Sequence, residues 1–133
     1  MASSKFPADR LYHAENLWIQ ERAEPGVAVI GVSHFAQDQL GDVVGVSLPA
    51  AGQRISAGVA FGTIEAAKVV SDLVAPADGT IVACNVELEN DPALTNSDCY
   101  GAGWLIRITL DSAIDHQSLM TADAYRLHVG ADD

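Results

Sequence analysis

The sequence predicts a small all-β fold with short helices, and three observations carry that expectation. Most of the stretch between Val27 and Leu110 reads as short, β-branched runs divided by Gly, Pro and Asp turns, the spacing of a small sandwich or barrel. The chain has 133 residues, room for one compact domain at roughly 100–200 residues per domain. Hydrophobic residues make up 49% and charged ones 19%, so a core can form without a disulfide or metal staple.

Taken in order, Val27–Val32 (VAVIGV) and Val43–Leu48 (VVGVSL) are short β-branched strands. Between them Ser33–Gly41 predicts a short helix, with Ser33 as its N-cap, good helix formers around Phe35 and Gly41 to end it. Two strand-like runs, Val59–Ile64 and Val69–Val74, flank Glu65–Lys68 and predict a hairpin with Lys68 at its tip. Gly58 and Gly79 stand in turn-forming stretches on either side, centring the lysine between two chain reversals. Alternation places Val82, Cys84, Val86 and Leu88 on one face, which makes Cys84 a small buried hydrophobe. Cys99, in a polar loop between Asp98 and Tyr100, reads as the more accessible thiol. A short helix is expected near Pro92, and a strand over Trp104–Leu110 with Trp104, Ile106, Ile108 and Leu110 on one face. Thr121 caps a last helix, Met120 and Tyr125 fit a hydrophobic staple, and Gly130 closes it. The expected organisation is a single domain over 1–133, with 1–10 an N-terminal tail and 121–133 the C-terminal helix and tail.

Charge and motifs exclude several classes of function. Seven Lys and Arg against 18 Asp and Glu give a net charge of −11, which rules out a nucleic-acid grip built on phosphate neutralisation. The first ten residues have no apolar signal region, and the longest apolar run, Val27–Val32, is far too short to span a bilayer. Two cysteines without a secretory signal point to reduced thiols and a cytoplasmic protein. His13, His34, His116 and His128 show no metal-ligand spacing, and Ser33 beside His34 is no catalytic pair, since neighbours on a helix do not face each other. The chain has no Gly-x-Ser-x-Gly elbow and no phosphate-binding glycine loop, so it does not read as an enzyme. Scattered acids such as Asp38, Asp42, Glu65 and Asp72 read as a solvated surface that keeps the protein monomeric. Five of the seven basic residues are arginines. The lysines are Lys5, in the expected tail, and Lys68, the single primary amine of the domain body.

Several separate stretches together resemble the lipoyl-bearing H protein of the glycine cleavage system, within the wider biotinyl/lipoyl-carrier fold. They are Gly31–Val44 (GVSHFAQDQLGDVV), Leu48-Pro49, Glu65-Ala-Ala-Lys68, Ser71-Asp72, Ala75–Gly79 (APADG), Asn96-Ser97, Tyr100 and Gly103-Trp104. The resemblance runs from about Tyr12 to Tyr125 and implies a half-barrel sandwich (hammerhead) with a C-terminal helix. It implies that Lys68 carries covalent lipoic acid as lipoyllysine, that Glu65 helps the lipoylating enzyme recognise its target, and that Asp72 contacts the loaded arm. The implied protein is a non-catalytic carrier shuttling an aminomethyl intermediate between glycine decarboxylase and aminomethyltransferase, with dihydrolipoamide dehydrogenase as a further partner. Carrier physics agrees, because a group carrier needs one reactive cofactor on a long arm held near its partners' active sites. A lysine taken alone would read only as a solvated side chain breaking up a hairpin edge. A biotinyl carrier fits less well, since its lysine lies between methionines and here Ala67 and Val69 flank it.

The chain departs from the family pattern in its first strand, where a His-Glu-Trp stretch is usual and Asn16-Leu17-Trp18 stands instead. In the family that glutamate and the aspartate matched by Asp72 line the cleft that shelters the loaded amine. Leu17 can neither accept a hydrogen bond nor offset an ammonium charge. Gly45 stands where the family has an aromatic residue, and Ala66 replaces a serine at the tip. These departures open two alternatives. One is an H-like lipoate-binding paralogue that carries sulfur intermediates with a heterodisulfide-reductase-like complex in sulfur oxidation, or relays lipoyl groups; the other is an unlipoylated interaction module.

Overall fold

A computed structural model describes residues 6–21, 26–114 and 118–130. Among the described residues nine strands form two open antiparallel sheets, and neither closes into a barrel. The larger sheet has the order β1 (Leu11–Tyr12), β2 (Leu17–Glu21), β3 (Val27–Val32), β9 (Ile106–Leu110), β8 (Gly79–Cys84), β5 (Arg54–Ile55). The smaller one has the order β4 (Val43–Ser47), β6 (Ala60–Ala66), β7 (Val70–Val74). Short helices α1 (His34–Leu40), α2 (Leu94–Ser97) and α3 (Ala122–His128), with a 3-10 turn at Val86–Glu89, complete the fold.

The larger sheet is apolar on both faces where β2 and β3 pair, which explains why β3 reads as a continuous apolar run. On one face Leu17, Ile19, Ala28, Ile30 and Val32 enter an aliphatic core shared with Ile64, Leu73 and Ile106. On the other, Trp18 and Val29 join Phe6, Tyr12, Ala122 and Tyr125 in an aromatic cluster. Gly31 lies opposite Trp18 in the register, and a Cβ there would sit 2.6 Å from the indole, so only glycine lets the ring lie flat on β3. The Tyr12 and Tyr125 rings stack with centroids 4.8 Å apart and pin α3 to the sheet.

Helix α1 has the expected caps, with the Ser33 side chain accepting from Ala36 N–H and Gly41 (φ 78°) ending it. Helix α3 follows Thr121, whose side chain accepts from Ala124 N–H, and Gly130 (φ 74°) follows its last turn. Met120 packs on the cluster that holds Tyr125, as the staple requires.

Five expectations need correction. Residues 6–10 are no tail: Phe6 is buried in the aromatic cluster, the Tyr12 hydroxyl donates to Pro7 O at 2.7 Å, and the Arg10 guanidinium lies 4.6 Å over the Trp18 ring. Alternation does not continue past Cys84, because Asn85 accepts from Glu87 N–H and donates to Ala102 O and Trp104 O, turning the chain. Val86 is therefore exposed, while Leu88 is buried through the 3-10 turn; Val82 is exposed because Ile81 is the β8 residue that faces the core. Trp104 lies before β9 and packs on the aromatic cluster, opposite in sheet face to Ile106 and Ile108. Gly79 starts β8 rather than a turn; a Cβ there would lie 2.5 Å from Thr109 O. The cysteines are also reversed: Cys99 is buried and Cys84 is only partly so, its thiol donating to Pro49 O at 2.8 Å. Burial pushes the Cys99 thiol up to about 12.

Candidate functional site

Hairpin β6–β7 places Lys68 where the sequence predicts it, with one adjustment to its neighbours. Strand β6 runs through Glu65 and Ala66, so the tip is a two-residue loop, Ala67-Lys68, closed by Ala66 N–H donating to Val69 O at 2.8 Å. Ala67 N–H also donates to Asp42 O at 3.2 Å, tying the loop to the start of β4. The side chains from Ala67 to Val70 are exposed. Among the described residues Lys68 is the one lysine, and it forms no ion pair there. Its amine is thus free to take an acyl group, and the short loop on a paired ladder gives the attachment point a rigid base.

Glu65 lies opposite Val70 on β7 and Gly45 on β4. A Cβ at Gly45 would lie 3.3 Å from Glu65 Oε1, so the absent side chain leaves room for this carboxylate over β4. The departure at Gly45 and the acid beside the tip are therefore linked. Asp72 is four residues beyond Lys68, at most about 14 Å of extended chain, and is exposed on β7, the edge of its sheet.

At that edge a cleft of about 150 Å³ opens between the β1–β2 turn, α1 and the β6–β7 hairpin. Leu17, Val32, Ala36 and Ile64 give it apolar walls, and Asp72 lines it from the hairpin side. Asn16 and Leu17, the two departures of the first strand, line it from the opposite side. The fold therefore brings Asp72 together with the altered pair, whereas Lys68 and Glu65 stand outside the cleft lining at the hairpin tip.

Leu17 is buried in the aliphatic core. Asn16 adopts φ 74°, a left-handed conformation that asparagine tolerates. Its Oδ1 accepts from the Tyr125 hydroxyl at 2.8 Å, and that hydroxyl also lies 2.8 Å from Ser33 Oγ. Asn16 thus joins the β1–β2 turn to α3 and to the cap of α1. Sequence reading missed this junction and also Glu15, which lines the cleft beside Asn16. In the loop of residues 13–16, Asn16, a residue that tolerates left-handed turns, was the available signal. An exposed lysine at the tip of a hairpin whose strands help wall a cleft of mixed apolar and polar lining, with an acid at its rim, suits a covalent arm that can be presented or sheltered.

Comparison with known proteins agrees. The family model described as "Glycine cleavage H-protein" matches residues 10–131. The glycine cleavage system H protein of Micrococcus luteus is 45% identical over 125 residues, covering 94% of this chain and 98% of the relative. A probable glycine cleavage system H protein of Natronomonas pharaonis is 46% identical over 123 residues, 92% of this chain and 95% of the relative. The crystal structure of a glycine cleavage system H protein from Mycobacterium marinum superposes with a TM-score of 0.85 at 39% identity, covering 93% of this chain and 98% of that one. These matches do not favour the sulfur-carrying, lipoyl-relay and unmodified-module alternatives, so Asn16 and Leu17 are variations within the glycine cleavage line. The chain belongs to the glycine cleavage H-protein family, lipoyl carriers that shuttle intermediates on a lysine-bound lipoic acid.

Proposed function

We propose that Lys68 is the lipoyl attachment site and that this chain is a non-catalytic carrier subunit, acting with glycine decarboxylase, aminomethyltransferase and dihydrolipoamide dehydrogenase. The observation that carries the reading is the exposed lysine on a two-residue hairpin loop beside a cleft with apolar walls and Asp72 at its rim. When bound, lipoamide supplies a dithiolane that takes up and releases a group by thiol chemistry.

The residues present fit that group. The hairpin holds the Lys68 amine clear of the core, and tethering an arm there raises its effective concentration at a docked partner. Glu65, next to the tip, is the acid a lipoylating enzyme reads. Asp72 meets the loaded arm where it enters the cleft. The protein works as a single domain and a monomer in the cytoplasm, its acidic surface limiting self-association.

Intact mass of the protein from cells with active lipoylation tests this reading. A lipoyl-sized increment is expected in the parent and none in Lys68→Arg, with reduced occupancy in Glu65→Ala. An increment that persists in Lys68→Arg overturns the assignment.

A further inference from the structure

We infer that Asn96 is a positioning residue for Lys68, holding the lysine loop through one peptide unit of the α1–β4 connection; this rests on the reading that Lys68 is the lipoyl attachment site. Asn96 stands on α2 and is half-buried, and its side chain makes three hydrogen bonds to α1 and to the connection that follows it. Its Oδ1 accepts from Val43 N–H at 2.8 Å, while its Nδ2 donates to Gly41 O at 2.8 Å and to Gln37 Oε1 at 3.1 Å. The side-chain amide fits in one orientation, because an N–H needs an acceptor and a carbonyl needs a donor. Asp42 is thus gripped on both sides, at the carbonyl before it and the amide after it.

The grip reaches the lysine loop through a rigid part. Asp42 C=O and Val43 N–H are the two ends of one peptide unit, which is planar, so they point in opposite directions and move together. The N–H end is held by Asn96 Oδ1, and the C=O end accepts from Ala67 N–H at 3.2 Å, at the residue before Lys68. The other bond that closes the loop, Ala66 N–H to Val69 O, stays within the hairpin. Both sides of the relay are anchored. Val43 is buried and pairs with Ala66 in the β4–β6 register, and on α2 Thr95 is fully buried with its hydroxyl donating to Pro92 O at 2.7 Å.

That relay matters to any enzyme that acylates the Lys68 amine, because it has to dock on the loop that carries it. A loop free to take up other conformations gives up that freedom on docking, which weakens the complex. Beyond its Cβ the lysine side chain is exposed and turns freely, so the chemical step inside a partner's active site depends little on the base of the loop. Positioning by Asn96 therefore acts on docking, and its signature is a change in KM with kcat preserved.

The test uses the unmodified full chain with a bacterial lipoate ligase, lipoate and ATP, the modified fraction being followed by intact mass. Asn96→Ala is expected to raise KM for the protein about three- to tenfold with kcat within about twofold. Amide hydrogen exchange at Ala67 is expected to quicken about two- to tenfold relative to the amides of β3, the size of one hydrogen bond. Asn96→Asp keeps an acceptor for Val43 N–H but, as a carboxylate, loses both donations; it is expected to fall between Asn96→Ala and the parent, and it carries the test alone if Asn96→Ala does not fold. Asn85→Ala controls for lost stability, since it also removes three hydrogen bonds, with Ala102 O, Trp104 O and Glu87 N–H, none of them reaching the lysine loop; KM is expected to stay unchanged there. Equal KM rises in Asn96→Ala and Asn85→Ala, or quicker Ala67 exchange beside an unchanged KM, overturn the positioning role. Unaltered Ala67 exchange in the Asn96 variants overturns the relay itself. Lys68→Arg judges the attachment site separately: modification that persists in it overturns that reading, while Ala67 exchange still decides the relay.

Discussion

The two ends of this molecule are built on opposite principles. Around α3, Tyr12, Trp18 and Tyr125 are fully buried, the Tyr12 and Tyr125 rings stack, and each polar tip has a partner: Pro7 O for Tyr12, Cys99 O for Trp18, and Asn16 and Ser33 for Tyr125. Around the β6–β7 tip, Ala67, Lys68, Val69 and Val70 are exposed and the loop is held by backbone hydrogen bonds alone. The difference shows where stability and function reside in a carrier. Side-chain packing at the pinned end fixes the frame, so the hairpin tip needs no packing of its own and its lysine stays exposed.

That contrast can be broken or sharpened by substitution. The largest effect is expected at Trp18→Ala, which empties the centre of the aromatic cluster and removes the hydrogen bond to Cys99 O; urea unfolding should read a loss of about 3–5 kcal/mol. Gly31→Ala follows, because its Cβ meets the Trp18 ring at 2.6 Å and relief of that overlap costs about 1–3 kcal/mol. A Gly31→Ala variant as stable as the parent would show that the indole can shift, and the pinned end would be softer than described.

A pH effect should come next. Burial raises the Cys99 thiol from 9.0 to about 12 and the Tyr125 hydroxyl from 10.0 to about 12. Both groups ionise more readily in the unfolded chain, which therefore binds fewer protons above pH 9, so stability falls as pH rises from about 9 towards 12. Urea midpoints across that range should decline, and Cys99→Ala should flatten the lower part of the decline. Smallest is Lys68→Arg at the tip, expected to leave stability within about 0.5 kcal/mol while the lipoyl increment disappears from the mass spectrum. If Lys68→Arg destabilised the fold as much as Gly31→Ala does, the tip would share in packing and the contrast would fail.

Local signals carried a large part of the architecture. Val27–Val32 is β3 with the same ends, Ser33 and Gly41 bound α1, Thr121 caps α3, and the hairpin about Lys68 is where the two strand-like runs place it. Each of these depends on residues within a few positions of one another: caps, turn formers, β-branched runs. The failures share the opposite property. Val82 is exposed because the pairing with β9 turns Ile81 to the core, Val86 is exposed because Asn85 bonds across to Ala102 and Trp104, and Phe6 is buried because α3 returns to cover it. The same holds at the site. Lys68 and Glu65 were legible as neighbours on one hairpin, but Glu15 was not, since its place in the cleft depends on α1, about twenty residues later, and β7, more than fifty residues later, closing around its turn.

By itself, then, the sequence determined β3, β4, the β6–β7 hairpin, most of β9, the helix ends and the loop that carries the one lysine of the domain body, because turn chemistry and side-chain alternation act over a few residues, whereas β1, β2 and β5 left no such local mark. Only the tertiary structure decided which thiol is buried, what covers the aromatic cluster and which acids meet in the cleft. Those outcomes rest on contacts such as Trp18 Nε1 to Cys99 O, 81 residues apart, and Ser33 Oγ to Tyr125 Oη, 92 apart. Burial is set by what arrives from elsewhere in the chain, and no local pattern encodes that arrival.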